Sequence, residues 1–244
     1  AYQYFEESRI DRNFSGSQRF RLRTQQEQVY AVSSNLDFRK KMNQHQFFYG
    51  LEYVQNNVFS NASALDIRSQ QPIAVPNRYP RSFWASYATY LNYHYNFSEK
   101  VSGQTGIRYN ALILDSDFSQ QLNFYDFNFT KVKTNNASTT FSLGTVFQPH
   151  SSWKVGTNLT TGFRAPNVDD MGKLFDFSAG EVITPNTQLK PEYAYNADIN
   201  ISKNIKDKFF INIAGFYTYL DRAMVRRPWQ INGQDSIMYN GTLS

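Results

Sequence analysis

Arginines stand beside aromatic rings at two places in this chain: Arg78 and Arg81 flank Tyr79, and Arg226 and Arg227 precede Trp229. A guanidinium next to a ring suits an anionic, aromatic ligand, which it meets through charge and cation–π contact. A further arginine, Arg164, closes the polar face of an alternating segment and is expected to point inward where that segment ends. The same side chains could instead hold the phosphates of lipopolysaccharide or simply solvate loops. Asp169 and Asp170, near Lys173, could ligate a cation, but their place just after Asn167 fits capping of a short helix better.

Other chemistries have little material. There is no cysteine, so neither a disulfide nor a thiolate metal site is available, and the three histidines (His45, His94, His150) are scattered. No metal site and no cofactor is expected. A hydrolase would need a nucleophile beside a base. His94 with Ser86 or Ser102 is the combination worth naming, and it lacks an evident orienting acid. Neither a G-x-S-x-G elbow nor a glycine-rich phosphate loop is present. Net charge is +5 with the basic residues dispersed, which argues against nucleic acid as a partner.

The elements that must carry these residues read as strands. In 244 residues there are 17 Tyr and 21 Phe, yet mean hydropathy is −0.58, a mixture of aromatic and polar residues that favours sheet. No segment reaches the ~18 consecutive apolar residues of a membrane helix, but a transmembrane barrel alternates lipid-facing and lumen-facing residues and escapes that test. The alternation is plain. Tyr30, Val32, Ser34, Leu36 and Phe38 share one face, as do Phe47, Tyr49, Leu51 and Tyr53. Ala85 through Phe97 pairs with Val101 through Ile113 across a turn at Ser98-Glu99. Further strands run over 139–148, 153–163, 193–202 and 209–219, and a last one is expected to be cut off at Ser244. Ala1 to Thr24 reads least clearly, with Tyr2, Tyr4 and Phe14 suggesting a strand.

Strands of about twelve residues exceed the mean of roughly 5–6 in globular sheets and match the ~9–11 needed to cross a bilayer at a tilt. Short turns are expected at 39–43, 98–99, 149–152 and 204–208. Long loops are expected at 56–82, 115–136, 164–190 and 226–234. That asymmetry of rims characterises an antiparallel up-and-down transmembrane β-barrel, whereas a soluble β-rich binding module has shorter strands and more frequent turns. Trp84, Tyr95, Phe97, Phe147 and Trp153 are expected to form interfacial girdles. A basic-then-apolar leader is not seen at the N-terminus, so the chain is expected to be mature or partial.

Within this pattern Phe163-Arg164-Ala165-Pro166-Asn167, followed by Leu189-Lys190-Pro191-Glu192 and a strand, resembles the late barrel region of TonB-dependent outer-membrane receptors. The resemblance implies about ten strands of a 22-stranded barrel. Residues 1–244 would then be a partial barrel domain, with the plug and the C-terminal strands lying outside the chain. It implies a location in the bacterial outer membrane, contact with its lipid, energy from the TonB complex through the plug, and import of a scarce ligand without chemical change to it. On that reading Arg78, Tyr79, Arg81, Arg164, Arg226, Arg227 and Trp229 are candidate contacts for a ferric siderophore. Haem, cobalamin or a glycan are the alternatives. Haem receptors of the family carry a FRAP box, an NPxL box and a histidine between them. Here Asn186-Thr187-Gln188-Leu189 departs from the second box and no histidine intervenes. His94 is expected to be a hydrogen-bonded wall residue.

Overall fold

A strand that crosses lipid must pair every backbone N–H and C=O within the protein, and this chain meets that demand, except along its two edge strands, with one antiparallel sheet. The computed structural model describes residues 1–16, 18–125, 127–172, 175–178, 181–183, 186–205, 208–225, 227–228, 230, 233–236, 238–239 and 242–243. Its strands are β1 (Tyr2–Arg12), β2 (Arg21–Met42), β3 (His45–Asp66), β4 (Gln71–Ile73), β5 (Arg81–Asn96), β6 (Val101–Asp117), β7 (Lys131–His150), β8 (Trp153–Arg164), β9 (Phe175–Ser178), β10 (Glu181–Ile183), β11 (Glu192–Ile205), β12 (Phe209–Asp221), β13 (Met238–Tyr239) and β14 (Thr242–Leu243). A single α-turn, α1 (Val168–Gly172), and a 3-10 turn at Gln121–Asn123 lie in the loops. The main sheet has ten strands in the order β1-β2-β3-β5-β6-β7-β8-β11-β12, with β4 paired onto β3. Every neighbour is antiparallel, and all follow one another in sequence except across the short β4 and across the β8–β11 connection, which carries α1, β9 and β10. This is the up-and-down wall expected from the alternation, with β1 and β12 at its two edges.

The two faces separate by chemistry as the period of two requires. Leu51, Tyr87, Leu91, Ile107, Phe141, Leu143, Leu159, Ile199, Ile213 and Tyr217 expose their side chains on the outer face, which in a bilayer is turned to lipid. Aromatic pairs mark its ends. Phe38 stacks on Tyr49 with ring centroids 5.4 Å apart, and Tyr95 meets Phe97 edge-on at 4.7 Å near the short turns. Tyr4, Tyr30 and Phe59 form a chain at 4.9 and 5.8 Å toward the long loops. The inner face is a hydrogen-bonded polar mosaic. Arg108 forks onto Glu52 at 2.9 and 2.5 Å and reaches Asn110 at 3.2 Å. Asn158 and Asn196 both donate to Asp198, and Thr218 donates to Asn196. Gly50 is needed here: a Cβ would lie 2.9 Å from the Tyr90 ring, which crosses that position to donate to Asp37.

Several boundaries differ from expectation. Strands β2 and β3 each run for 22 residues, so the basic turn expected over 39–43 shrinks to Asn43-Gln44, where Asn43 takes φ 55°. Arg39 to Met42 stay in the ladder because strand pairing continues past the aromatic girdle into water. The same reason shortens the expected excursion over 56–82: β3 continues through Asp66, and the Asn- and Ser-rich segment shows no apolar alternation because it stands above the lipid. The loop of 115–136 contracts to 118–130. Phe14 lies beyond the end of β1 and is 99% exposed. Trp84 turns to the inner face and packs against a buried cluster at the mouth, so it is not a girdle residue. Lastly, β13 and β14 pair with each other and not with β12, so the expected last barrel strand does not form among the described residues.

The face assignment predicts a position-dependent response. Replacing outward Leu143 by Arg is expected to cost about 2–4 kcal/mol of stability in a bilayer. Replacing the adjacent inward Ser142 by Asn is expected to change it by less than ~1 kcal/mol. Urea titration of receptor refolded into lipid vesicles reads both.

Candidate functional site

Leaving the ladder after Arg164, the chain must immediately find partners for its backbone, and Asn167 provides the first. Its side-chain oxygen accepts from the Asp170 N–H at 3.0 Å, while the Asp170 carboxylate accepts from the Asn167 N–H at 3.0 Å. This reciprocal cap starts α1. The expected capping by the acidic pair is thus made by Asp170 together with Asn167. Asp170 has a second role. Both its oxygens accept from the Arg164 guanidinium at 2.7 Å, and Arg164 also donates to Glu192 at 2.9 Å. Glu192 stands directly opposite Arg164 in the β8–β11 register and accepts in addition from the Met224 N–H. The first and last parts of the FRAPN and LKPE motifs are therefore one latch, closing a loop of the mouth over its own stem and touching the segment after β12.

Under α1 lies the most deeply buried apolar cluster of the described residues. Phe118 (0% exposed), Leu114, Met171, Val132 and Phe127 form it, with Trp84, Val168 and Leu189 packed around them. Phe118 meets Phe127 and Phe129 edge-on at 6.0 and 5.1 Å. Pro80 and Pro166 are fully buried as well. A small hydrophobic core thus sits inside the mouth, on the inner face of β5–β7.

The described candidate contacts do not all face the same way. Arg78 faces inward: its guanidinium lies 4.0 Å from buried Glu27 and 5.3 Å from the Tyr79 ring centroid, and its backbone N–H donates to Ser60 at 3.2 Å. Tyr79 donates its hydroxyl to Asp169 at 3.0 Å. Burial, followed by the charge of Asp169, pushes the Tyr79 hydroxyl from 10.0 up to about 12, so it remains a donor at every pH below about 10 and is lost only as pH rises toward 12. Arg81 faces outward, its guanidinium 5.0 Å from the Phe59 ring, and belongs to the aromatic belt and not to the lumen. Arg164 points inward as its strand position requires, already engaged by two carboxylates. Arg227 is exposed. Arg226 and Trp229 lie outside the described residues. Sequence reading anticipated a cap at Asp170 but not its bond to Arg164, and missed the packing of Met171, Phe118 and Phe127.

Lower in the lumen, Glu52, Arg108, Tyr90, Asn92, Ser142 and Thr160 line a concavity of about 430 Å³. A second, of about 290 Å³, is lined by Gln46, Phe48, His94 and Gln104. His94 hydrogen-bonds to Asn96 at 3.0 Å and Ser86 accepts from Asn110 at 3.3 Å. Ser86 is eight residues along the same strand from His94, roughly 26 Å at strand rise, so this pair does not assemble a nucleophile and base. Among the described residues no group of three or more His, Asp or Glu is placed to hold a metal ion, and no helix is long and apolar enough to cross a membrane.

Comparison with known proteins places this geometry. Residues 1–240 match the family described as TonB dependent receptor-like, beta-barrel. A stretch of 102 residues, 40% of this chain and 10% of its relative, is 32% identical to the hemoglobin and hemoglobin-haptoglobin-binding protein of Haemophilus ducreyi. Of solved structures, the copper transporter OprC superposes with TM-score 0.75 at 12% identity, over 90% of this chain and 34% of that one. The hemophore receptor HasR of Serratia marcescens, solved with its hemophore HasA and heme, gives 0.65 at 14%, over 89% and 36%. The ferric yersiniabactin uptake receptor FyuA from Yersinia pestis gives 0.60 at 13%, over 90% and 32%. At such identities the likeness is one of fold. The chain spans about a third of the length of these solved relatives, and its matched stretch covers a tenth of the curated one. It belongs to the TonB-dependent receptor family and forms part of that family's outer-membrane β-barrel.

The latch and the core beneath it make different predictions. Met171→Ala is expected to destabilise the mouth by about 2–5 kcal/mol through the cavity it leaves. Arg164→Lys removes the fork that bridges two carboxylates and, at a half-exposed site, is expected to cost only about 1 kcal/mol. Hydrogen exchange at the amides of 168–171 reports both changes.

Proposed function

We propose that this chain is barrel wall and mouth of an outer-membrane active-transport receptor that takes up a ferric siderophore with energy supplied through TonB. On this reading residues 1–244 are one partial barrel domain. The plug, its contact with the TonB complex, and the remaining strands belong to other parts of the full-length receptor. The ligand is bound and admitted unchanged, so the protein is a receptor and not an enzyme, with outer-membrane lipid as its surroundings and no nucleic acid as a partner.

The observation that carries the reading is the inward guanidinium of Arg78 beside the Tyr79 ring, at the mouth of a polar lumen wall. A cation and a ring side by side complement an anionic chelate built on aromatic rings. Arg226, Arg227 and Trp229 repeat the pairing of cation and ring in sequence and are proposed as further contacts. Arg164 contributes by holding the mouth in shape, its charge being balanced by Asp170 and Glu192. Arg81 would act at the lipid boundary. The fold likeness to a ferric yersiniabactin receptor is in keeping with an iron chelate.

Haem is the second reading, favoured by the stretch 32% identical to a hemoglobin-binding protein. Against it stands the lack of a histidine between Phe163 and Leu189.

Titration of the full-length receptor with ferric chelates and with haem, followed by tryptophan fluorescence, separates the two. Saturable quenching by a ferric siderophore, weakened roughly tenfold or more in Arg78→Ala or Arg227→Ala, is expected from loss of a charge-assisted contact. Quenching by haem alone, unaffected by either substitution, would replace the siderophore with haem. No response to any iron source would remove iron uptake from the account.

A further inference from the structure

We propose that Asn77 and Tyr79 are positioning residues that join the mouth loops 67–80, 118–130 and 165–172 into one cap, which holds or opens as a unit.

The contacts form a closed circuit. The first loop is tied to the second by Asn77, whose amide nitrogen donates to Gln120 at 2.5 Å while its oxygen accepts from the Ala62 N–H of β3 at 2.8 Å. The first is tied to the third by the Tyr79 hydroxyl on Asp169 of α1, a contact between residues 90 apart in sequence. The second is tied to the third by packing, with Met171 of α1 buried among Phe118, Phe127 and Leu114. Each loop therefore touches both others, and releasing any one tie weakens the support of the remaining two.

The circuit is also fastened to the wall. Ser82 donates to the carbonyl of buried Pro80 at 3.0 Å and shares a hydrogen bond with Ser116 at 2.9 Å, fixing the exit of the first loop to β6. Arg164 and Asp170 fix the entry to α1. Moving the first loop alone would break the Asn77 and Tyr79 bonds together, and moving the third alone would break the Tyr79 bond and uncover part of the aromatic cluster, whereas movement as one cap keeps these ties. The proposal concerns how the mouth is built and stands whichever ligand the receptor takes.

Hydrogen exchange measured on the full-length receptor in detergent micelles tests the coupling, because each variant has a segment it touches and one it does not. Asn77→Ala is expected to speed exchange about fivefold at 168–171, which Asn77 does not contact, as well as near Gln120. Tyr79→Phe keeps the ring and its packing, and is expected to speed exchange at 120–125 as well as in α1. Asp169→Asn, whose amide oxygen still accepts, is expected to restore the wild-type pattern that Asp169→Ala loses. If Asn77→Ala fails to fold, the Tyr79 and Asp169 variants decide the matter alone. Faster exchange confined to the segment that lost its own bond would overturn the proposal, and so would identical exchange in all variants.

Discussion

Backbone pairing is the constraint on which the rest of this structure depends. Lipid offers no partner to an N–H or C=O group, and each unpaired one costs several kcal/mol. The chain answers with long antiparallel neighbours, Tyr2 opposite Val32 through to Ile205 opposite Phe209, their register shifting only between Phe147 and His150 among the described pairs of the main sheet. Once the ladder is fixed, the period of two assigns every side chain to lipid or lumen. The outer rings and aliphatics need no polar partner. The inner Asn, Gln, Asp and Arg side chains find one another across strands, as Arg108 finds Glu52 and Asn158 finds Asp198. An open curved wall has no conventional interior, so its order comes from the ladder and its cross-strand pairs.

The exception is the mouth. Loops leaving the ladder lose its hydrogen bonds, and those of the β5–β8 sector recover order in another way. A short capped turn, two buried prolines and a group of phenylalanines fold inward onto the wall. The FRAPN and LKPE words that mark the family acquire a physical meaning here. Arginine, the capping asparagine and the glutamate are held together because the β8–β11 register places Arg164 and Glu192 face to face. The mouth is thus stabilised as a small globular protein would be, by apolar burial and a few charge-assisted bonds.

Legibility in the sequence followed this division. Alternation through Tyr30–Phe38, Tyr87–Tyr95 and Tyr193–Ile201 placed strands and their faces, since side-chain period alone determines them. Strand ends were read too short wherever pairing runs beyond the lipid, as over 56–66, because a strand that faces no lipid needs no apolar face and shows no apolar alternation. Trp84 follows the same rule of two. It lies next to outward Ala85 and so had to face inward, yet its ring suggested a girdle. The partners of Arg164, and the meeting of Phe118 with Met171, depend on how distant loops fold over the mouth, for which local pattern carries no signal. Arg78 and Tyr79 were singled out by residue type. The separation of Arg81 from them follows from its parity at the start of β5.

The central claim is that one face of this wall meets lipid and the other meets water. Spin labels placed singly from Thr139 to Phe147 in β7 of the full-length receptor, reconstituted in vesicles, test it most directly through their accessibility to oxygen and to a polar relaxation agent. The account predicts strict alternation, with 141, 143, 145 and 147 open to oxygen and 140, 142, 144 and 146 open to the polar agent or shielded from both. Equal exposure of the two sets to the polar agent would contradict it, and with it the reading of this chain as membrane barrel.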